Sequence, residues 1–193
     1  MDDIRVTLCS KNEHKRRELE RVLGDWTIEL LDAVDYPAET GQTFYENARA
    51  KARFGREVGP PDASMLGEDS GLELSALGGA PGVETARWAD GRHVERALAA
   101  LESAGDRTAR YVCELVAISP DGREARGTGT LGGTIALEPR GEEGFGFDPV
   151  FVAFGESKTV AELGDEWKAE HSHRAVAARA LRAAVSASSS EPG

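Results

Sequence analysis

Four short segments of the chain combine residue types that bind phosphate, metal ions and flat aromatic ligands. In chain order they are Ser10-Lys11-Asn12-Glu13-His14-Lys15, Gly67-Glu68-Asp69-Ser70-Gly71, Gly144-Phe145-Gly146-Phe147-Asp148-Pro149 and Ser172-His173-Arg174. Each segment alone also has a purely structural interpretation. Together, in this order on a chain of only 193 residues, they predict an enzyme that acts on a nucleoside triphosphate.

The first segment predicts a phosphate site at the start of a helix. Residues 4–8 alternate between apolar and polar types and predict a strand, after which Ser10 and Glu13 have the spacing of a capping box. A helix N-terminus carries unpaired backbone N–H groups and partial positive charge, so a phosphate there meets several donors at once. Lys15 would add a full charge and Asn12 a side-chain amide. The alternative is a capped surface helix with no ligand.

The second segment predicts a divalent-metal site. A short strand over residues 64–66 is expected to deliver Glu68 and Asp69 at its end, where ligands collect in α/β sheets. Mg²⁺ takes oxygen ligands, usually one or two carboxylates plus substrate phosphates. Two adjacent acids repel each other, which favours a bound cation or a raised pKa on one of them. Glu39 is a third candidate carboxylate, with Lys51 as a phosphate partner. The alternative is an acidic turn.

The third segment predicts a surface for a flat base. Phe145 and Phe147 flank Gly146 in a predicted loop, where exposed rings are unfavourable unless they pack or stack on something. A purine ring is one candidate partner, and Asp148 can accept hydrogen bonds or hold the turn. The alternative is a hydrophobic plug in a glycine-rich turn.

The fourth segment concentrates hydrogen-bond donors near the end of the chain. Lys168, His173 and Arg174 could bind base edges and phosphate. His171 and His173 are too close in sequence for the helical i, i+4 metal pair, so ligand recognition is favoured over zinc. The alternative is Ser172 as an N-cap followed by solvated side chains.

The remaining pattern predicts an α/β protein, because the chain begins strand–helix–strand. A strand is predicted over residues 26–31 and a hairpin over residues 110–119 and 124–137, which we expect to form a distinct antiparallel layer or lobe. Helices are predicted over residues 43–58, 94–101 and 175–185. With no separating linker, we expect a single domain over residues 1–185 and a disordered tail over residues 186–193.

The composition of the chain limits the kinds of partner that the protein is expected to bind. The net charge is −11, from 23 basic and 34 acidic residues, which argues against a surface that coats nucleic acid but permits a small anionic substrate. No apolar run is long enough to span a membrane. Cys9 and Cys113 lack the spacing of a zinc site and are predicted to be reduced core thiols. Residues 1–3, Met-Asp-Asp, are unlike a signal peptide, so we expect a cytoplasmic protein with neither membrane nor nucleic-acid partners.

Taken together, the segments resemble the inosine/xanthosine triphosphate pyrophosphatase family over nearly the whole chain. The most specific parts, all in family order, are residues 10–15, Glu39-Thr40-Gly41 with Phe44 and Glu46-Asn47-Ala48, Asp69-Ser70-Gly71-Leu72, Gly78-Gly79-Ala80-Pro81-Gly82 with Ala86-Arg87, residues 145–151, and Ser172-His173-Arg174.

The resemblance implies hydrolysis of ITP, dITP or XTP between the α- and β-phosphates, giving the nucleoside monophosphate and pyrophosphate. It also implies dependence on Mg²⁺, a homodimer, and an elongated two-lobed α/β fold with a mixed sheet, flanking helices and a central substrate cleft. Discrimination would come from buried polar groups that pair with a 6-oxo purine and are left unsatisfied by a 6-amino purine.

The resemblance also implies a role for each residue of this chain that matches a family motif. Asp69 would be the proton acceptor for the attacking water, and Glu39 and Asp69 would hold the metal, with Glu68 as a further candidate. Ser70 would contact substrate. The triphosphate would be held by Ser10, Lys11, Asn12, Glu13, His14, Lys15 and Lys51. The base would be framed by Phe145, Gly146, Phe147 and Asp148 and read by Lys168, His173 and Arg174.

The chain departs from the family pattern at three places. Glu68 stands where the family usually has aspartate, Phe147 stands where it usually has tyrosine, and the stretch 88–94 is shorter than the usual loop. Two other functions stay open: a hydrolase for modified pyrimidine triphosphates, and a nucleotide-binding module without catalysis.

Overall fold

The strand–helix–strand start of the chain forms as predicted. In the computed structural model, which describes residues 4–33 and 35–188, strands β1 (Ile4–Leu8) and β2 (Trp26–Leu30) pair in parallel, from Ile4 opposite Trp26 to Leu8 opposite Leu30. Helix α1 (Glu13–Val22) makes the crossover that parallel strands require, and it buries Leu19.

The predicted capping box of α1 is wrong, because Asn12 and not Ser10 caps the helix. The Asn12 side-chain oxygen accepts hydrogen bonds from the backbone N–H groups of His14 at 3.0 Å and Lys15 at 3.2 Å. These are the second and third helical positions, which an N-cap side chain serves. The Ser10 hydroxyl instead accepts from the Asn12 N–H at 3.1 Å.

Strand β3 (Ser64–Leu74) is much longer than the predicted segment over residues 64–66. Its parallel pairing with β1 covers Ser64 to Leu66 and ends at Leu8. The strand then continues through Glu68 and Asp69, which therefore lie inside β3 and not beyond its end. Buried Leu72 and Leu74 explain the extension, since both belong to a hydrophobic core.

The predicted hairpin exists as strands β4 (Thr108–Ile118) and β5 (Glu124–Ile135). The expectation of a distinct layer is wrong, because both strands belong to one six-stranded sheet with the order β2-β1-β3-β4-β5-β6. Strand β6 (Phe151–Ala153) pairs antiparallel with β5, so the sheet is mixed.

Five further α-helices follow α1 within residues 35–188. They are α2 (Phe44–Val58), α3 (Thr85–Ala89), α4 (His93–Ala100), α5 (Val160–His171) and α6 (His173–Ser188). Helix α6 runs past residue 185, so residues 186–188 of the expected tail are helical, whereas residues 1–3 and 189–193 lie outside the described residues. Within residues 4–33 and 35–188, every helix is too short or too polar to cross a membrane.

The chain divides into two compact units. Unit 1 comprises residues 1–69, 113–129 and 174–193, and unit 2 comprises residues 70–112 and 130–173. Each has its own core: Leu8, Leu19 and Leu66 are fully buried in unit 1, and Leu101 and Phe151 in unit 2. Because the units alternate along the chain, no linker marks their boundary in the sequence. The single domain over residues 1–185 stays a prediction.

Candidate active site

In unit 1, the ammonium group of one lysine contacts two carboxylates from separate segments of the chain. The Lys51 Nζ lies 2.6 Å from Glu39 Oε1 and 2.8 Å from Asp69 Oδ1, and it also donates to the Glu68 backbone oxygen at 3.0 Å. The Asn47 amide donates to Asp69 Oδ2 at 3.1 Å. Both oxygens of Asp69 are therefore oriented by side chains of α2.

Two local features place helix α2 beside the site: the cap at its N-terminus and a glycine on β3. Thr43 and Glu46 form a capping box that fixes where the helix starts. Asn47 and Lys51 are one turn apart and share a face. That face approaches β3 at Gly67, where a Cβ atom would overlap the backbone oxygen of Ala48. Only glycine lets the two backbones come this close.

Burial makes Asp69 a stronger base than an ordinary aspartate. Desolvation raises the pKa of Asp69 and the nearby carboxylates of Glu68 and Glu39 raise it further, while Lys51 opposes them; the pKa ends above its usual value. Burial alone would lower the pKa of Lys51, but Asp69, Glu68 and Glu39 together raise it, so Lys51 stays charged.

Glu68 lies at the centre of a second ion-pair network in unit 1. Its side chain is fully buried; one oxygen accepts from the Lys15 ammonium and the other from Arg174 Nη2 at 2.9 Å. Arg174 also pairs with Glu18 of α1. Although burial raises the pKa of Glu68, Lys15 and Arg174 hold it well below the usual range. Burial likewise raises the pKa of the Cys113 thiol, whose Sγ lies 3.6 Å from Glu68.

The residues of the segment 10–15 have different surroundings, and Lys15 is the one that pairs with Glu68 of β3. The Lys11 Nζ lies 5.5 Å from the centre of the Tyr36 ring. Glu13 accepts from Arg16 Nε at 2.9 Å, and His14 is exposed. The Asn12 side chain already accepts from two N–H groups of the first turn, so those two groups are engaged within the helix start.

In unit 2, a second set of predicted residues meets around Asp148. One Asp148 oxygen accepts from Lys168 Nζ at 2.6 Å and from the Phe145 N–H at 2.8 Å, and the other accepts from the Tyr111 hydroxyl at 3.3 Å. Gly144 has a φ of 79°, and a Cβ there would overlap the Asp148 carboxylate. The glycine turn therefore allows Asp148 to fold back onto its own loop.

The two phenylalanines of this loop have different environments. Phe145 is partly exposed, and the Lys168 ammonium lies 4.8 Å from its ring centre. Phe147 is 3% exposed and packs among Trp88, His93 and Tyr111. The prediction that Phe147 presents a stacking face is therefore wrong: its ring is part of the core, and the hydrophobic plug is the correct interpretation for this residue.

His173 and Arg174, adjacent in sequence, have different partners. The His173 ring stacks on Tyr111 in unit 2, with centres 4.5 Å apart and planes 7° from parallel. Arg174 belongs to unit 1 and is bound by Glu68 and Glu18. A role for Arg174 in reading the base stays a prediction.

Sequence reasoning left three contributors out of the predicted site. Asn47 precedes Lys51 by four residues, and Glu18 follows Lys15 by three, so helical spacing could have found both. Tyr111 lies in the middle of an apolar strand and gives no local signal. In the part of the chain that is described, no group of three or more histidine, cysteine or acidic residues forms a ready-made metal site.

The fold and the lysine–carboxylate cluster define an α/β protein with the kind of charged site that phosphate-transfer enzymes use. Residues 6–184 match the Ham1 family. A dITP/XTP pyrophosphatase of Exiguobacterium sp. is 40% identical, covering 94% of this chain and 97% of that protein, and one of Thermus thermophilus is 43% identical over 92% and 90%. The Ham1 protein of Staphylococcus aureus superposes with a TM-score of 0.81 at 33% identity, over 95% of this chain and 99% of that one. The chain belongs to the Ham1 family.

Proposed function

We propose that this protein hydrolyses deaminated purine nucleoside triphosphates, namely ITP, dITP and XTP, to the monophosphate and pyrophosphate, and so cleanses the nucleotide pool. The observation that carries the proposal is the convergence of Glu39 and Asp69 on Lys51 in a chain whose relatives are named dITP/XTP pyrophosphatases. An acidic pair beside a buried lysine is what phosphoanhydride hydrolysis needs, because the reaction requires charge neutralisation and an oriented water.

We propose Mg²⁺ as the cofactor, held by Glu39 and Asp69. The residues fit it, since two carboxylates from separate segments already contact one cationic group, the Lys51 ammonium. Two carboxylates and substrate phosphates are the ligands that Mg²⁺ usually takes. When bound, the ion would neutralise charge on the phosphate oxygens.

The protein's own groups then have separate tasks. Asp69 accepts a proton from the water whose oxygen attacks the α-phosphorus, and the bond between that phosphorus and the bridging oxygen to the β-phosphate breaks as pyrophosphate leaves. The raised pKa of Asp69 suits a proton acceptor. Lys15 and Lys51 neutralise the triphosphate, and Ser70, next in the chain, offers a hydroxyl. The family resemblance assigns the rest of residues 10–14 to the phosphates as well, although the His14 N–H is bonded to the Asn12 side chain and the Asn12 N–H to Ser10.

Unit 2 supplies groups suited to the base. Phe145 is partly exposed and can stack on a purine, while Asp148 and Lys168 are buried and paired with each other. A buried polar group that would pair with the 6-oxo edge of a purine is left unsatisfied by a 6-amino edge, which is the basis of strong discrimination. We propose that Lys168 and His173 bind the 6-oxo group of the base and that Arg174 is a third contact to the same edge. Gly146 shapes the turn that carries Phe145.

We also propose that the protein acts as a homodimer in the cytoplasm. Cys9 and Cys113 are both buried free thiols, which suits a reducing compartment. Burial raises the pKa of Cys9 to about 12, so that thiol is unreactive. The dimer follows from the family resemblance, and sedimentation velocity at several protein concentrations tests it.

The deciding experiment is pyrophosphate release from a panel of nucleoside triphosphates, with and without Mg²⁺. We expect release from ITP, dITP and XTP only when Mg²⁺ is present, with ATP much slower. Release from dUTP or a methylated pyrimidine triphosphate, with ITP and XTP inert, would establish the pyrimidine alternative. Binding of ITP with no release from any triphosphate would establish a non-catalytic module.

A further inference from the structure

Both oxygens of the Glu68 carboxylate have cationic neighbours. Oε2 accepts from Lys15, and Oε1 accepts from Arg174 Nη2 at 2.9 Å and Nε at 3.3 Å. The side chain is completely buried, whereas that of Lys15 keeps 18% of its surface exposed. A metal ion at Glu68 would have to enter a completely buried position and displace cations from both oxygens, whereas the Glu39 side chain keeps 29% of its surface exposed.

Lys15 can hold this ion pair and bind phosphate at the same time. An ammonium group has three N–H donors, and the pair with Glu68 occupies one of them. Its remaining exposure lets it reach a ligand. Arg174 binds the other oxygen of the same carboxylate and also pairs with Glu18, so Glu68 is held in place and fixes the position of Lys15.

We propose that Glu68 is a positioning residue that holds the Lys15 ammonium ready for the triphosphate, and that it is not a metal ligand. The inference rests on the proposed function, because it assigns Lys15 to phosphate. A lysine side chain has four rotatable bonds, and fixing it in advance removes an entropy cost that binding would otherwise bear. The extra methylene of Glu68 relative to aspartate extends the carboxylate from β3 toward α1.

The test is a double-mutant cycle with Glu68→Gln and Lys15→Met. Glutamine keeps the shape of Glu68, and Arg174 keeps Glu18 as a partner. We expect Glu68→Gln to raise the KM for ITP about tenfold, with kcat and the half-saturating Mg²⁺ concentration changing less than about twofold. In the Lys15→Met background the same substitution should change KM very little, because the residue through which it acts is gone.

A second readout does not depend on turnover. Calorimetric titration of the metal-free protein with inorganic tripolyphosphate should show about tenfold weaker binding in Glu68→Gln, and no further loss when it is added to Lys15→Met. Glu114→Gln is the matched control, since Glu114 is also buried in a strand of unit 1 but pairs with Arg126 and Thr128. It should leave KM and tripolyphosphate binding unchanged.

Two results would overturn the proposal. One is a rise in the half-saturating Mg²⁺ concentration with unchanged tripolyphosphate binding, which identifies Glu68 as a metal ligand. The other is an equal effect of Glu68→Gln with and without Lys15. If Glu68→Gln does not fold, Glu68→Asp takes its place in the same cycle and is judged by the same two results. The unmodified protein tests the proposed function separately, because it must release pyrophosphate from ITP.

Discussion

Asp69 Oδ1 lies 2.8 Å from the Lys51 ammonium, yet the pKa of Asp69 is above its ordinary value. Burial and the neighbouring carboxylates of Glu68 and Glu39 outweigh the lysine. The site therefore combines a carboxylate of raised pKa with a fixed positive charge, which is the combination that the proposed cleavage of a phosphoanhydride by water would use. Removing the carboxylate and removing the phosphate contact should consequently have different effects.

Asp69→Asn should abolish turnover while ITP binding stays largely intact. The amide keeps the shape of the side chain but cannot accept the proton, and general-base catalysis contributes about 100- to 10,000-fold. The measurements are single-turnover pyrophosphate release and ITP affinity by calorimetry. Asp62→Asn, an exposed aspartate of unit 1, is the control and should match the unmodified protein. Undiminished turnover in Asp69→Asn would refute the assignment.

The pH dependence of kcat/KM should show an acid limb set by Asp69. The proton acceptor works only when deprotonated, so activity falls as pH falls through its pKa, which lies above the ordinary 3.8. Because the Glu68 charge contributes to raising that pKa, Glu68→Gln should move the limb to lower pH. A pH–rate profile with ITP measures the limb in both proteins. A limb that moves to higher pH in the variant would contradict this electrostatic account.

Much of the site was predictable because its signals are local. The strand before residue 10 and the helix over residues 43–58 were both predicted, and each depends on neighbours within one or two turns. The errors concern long-range effects. The length of β3 depends on partner strands, and the burial of Phe147 depends on Trp88, His93 and Tyr111 from elsewhere in the chain. The pairing of Glu68 with Arg174 joins residues 106 positions apart, which no sequence period reveals.

Phe145→Ala and Phe147→Ala should separate binding from stability. Loss of the partly exposed Phe145 ring should raise the KM for ITP by about tenfold or more, since stacking on an aromatic ring contributes about 1–3 kcal/mol per base, with little change in melting temperature. Phe147→Ala should lower the free energy of unfolding by about 3–5 kcal/mol, because it leaves a cavity in the core. Urea denaturation and ITP kinetics measure the two effects. The reverse pattern would restore Phe147 as the stacking residue.

Gly67→Ala should disrupt the approach of α2 to β3. The added methyl group would overlap the Ala48 backbone oxygen and crowd the Ala52 nitrogen, and neither can move without shifting the helix that carries Asn47 and Lys51. Overpacking of this kind costs about 1–3 kcal/mol, so the urea midpoint should fall, and turnover of ITP should fall with it because Lys51 and Asp69 lose their register. Gly105→Ala is the matched control, since nothing lies within 4 Å of a Cβ atom at that position. Equal stability of the two variants would show that α2 can move away from β3 at no cost. The distance between Lys51 and Asp69 would then not depend on Gly67.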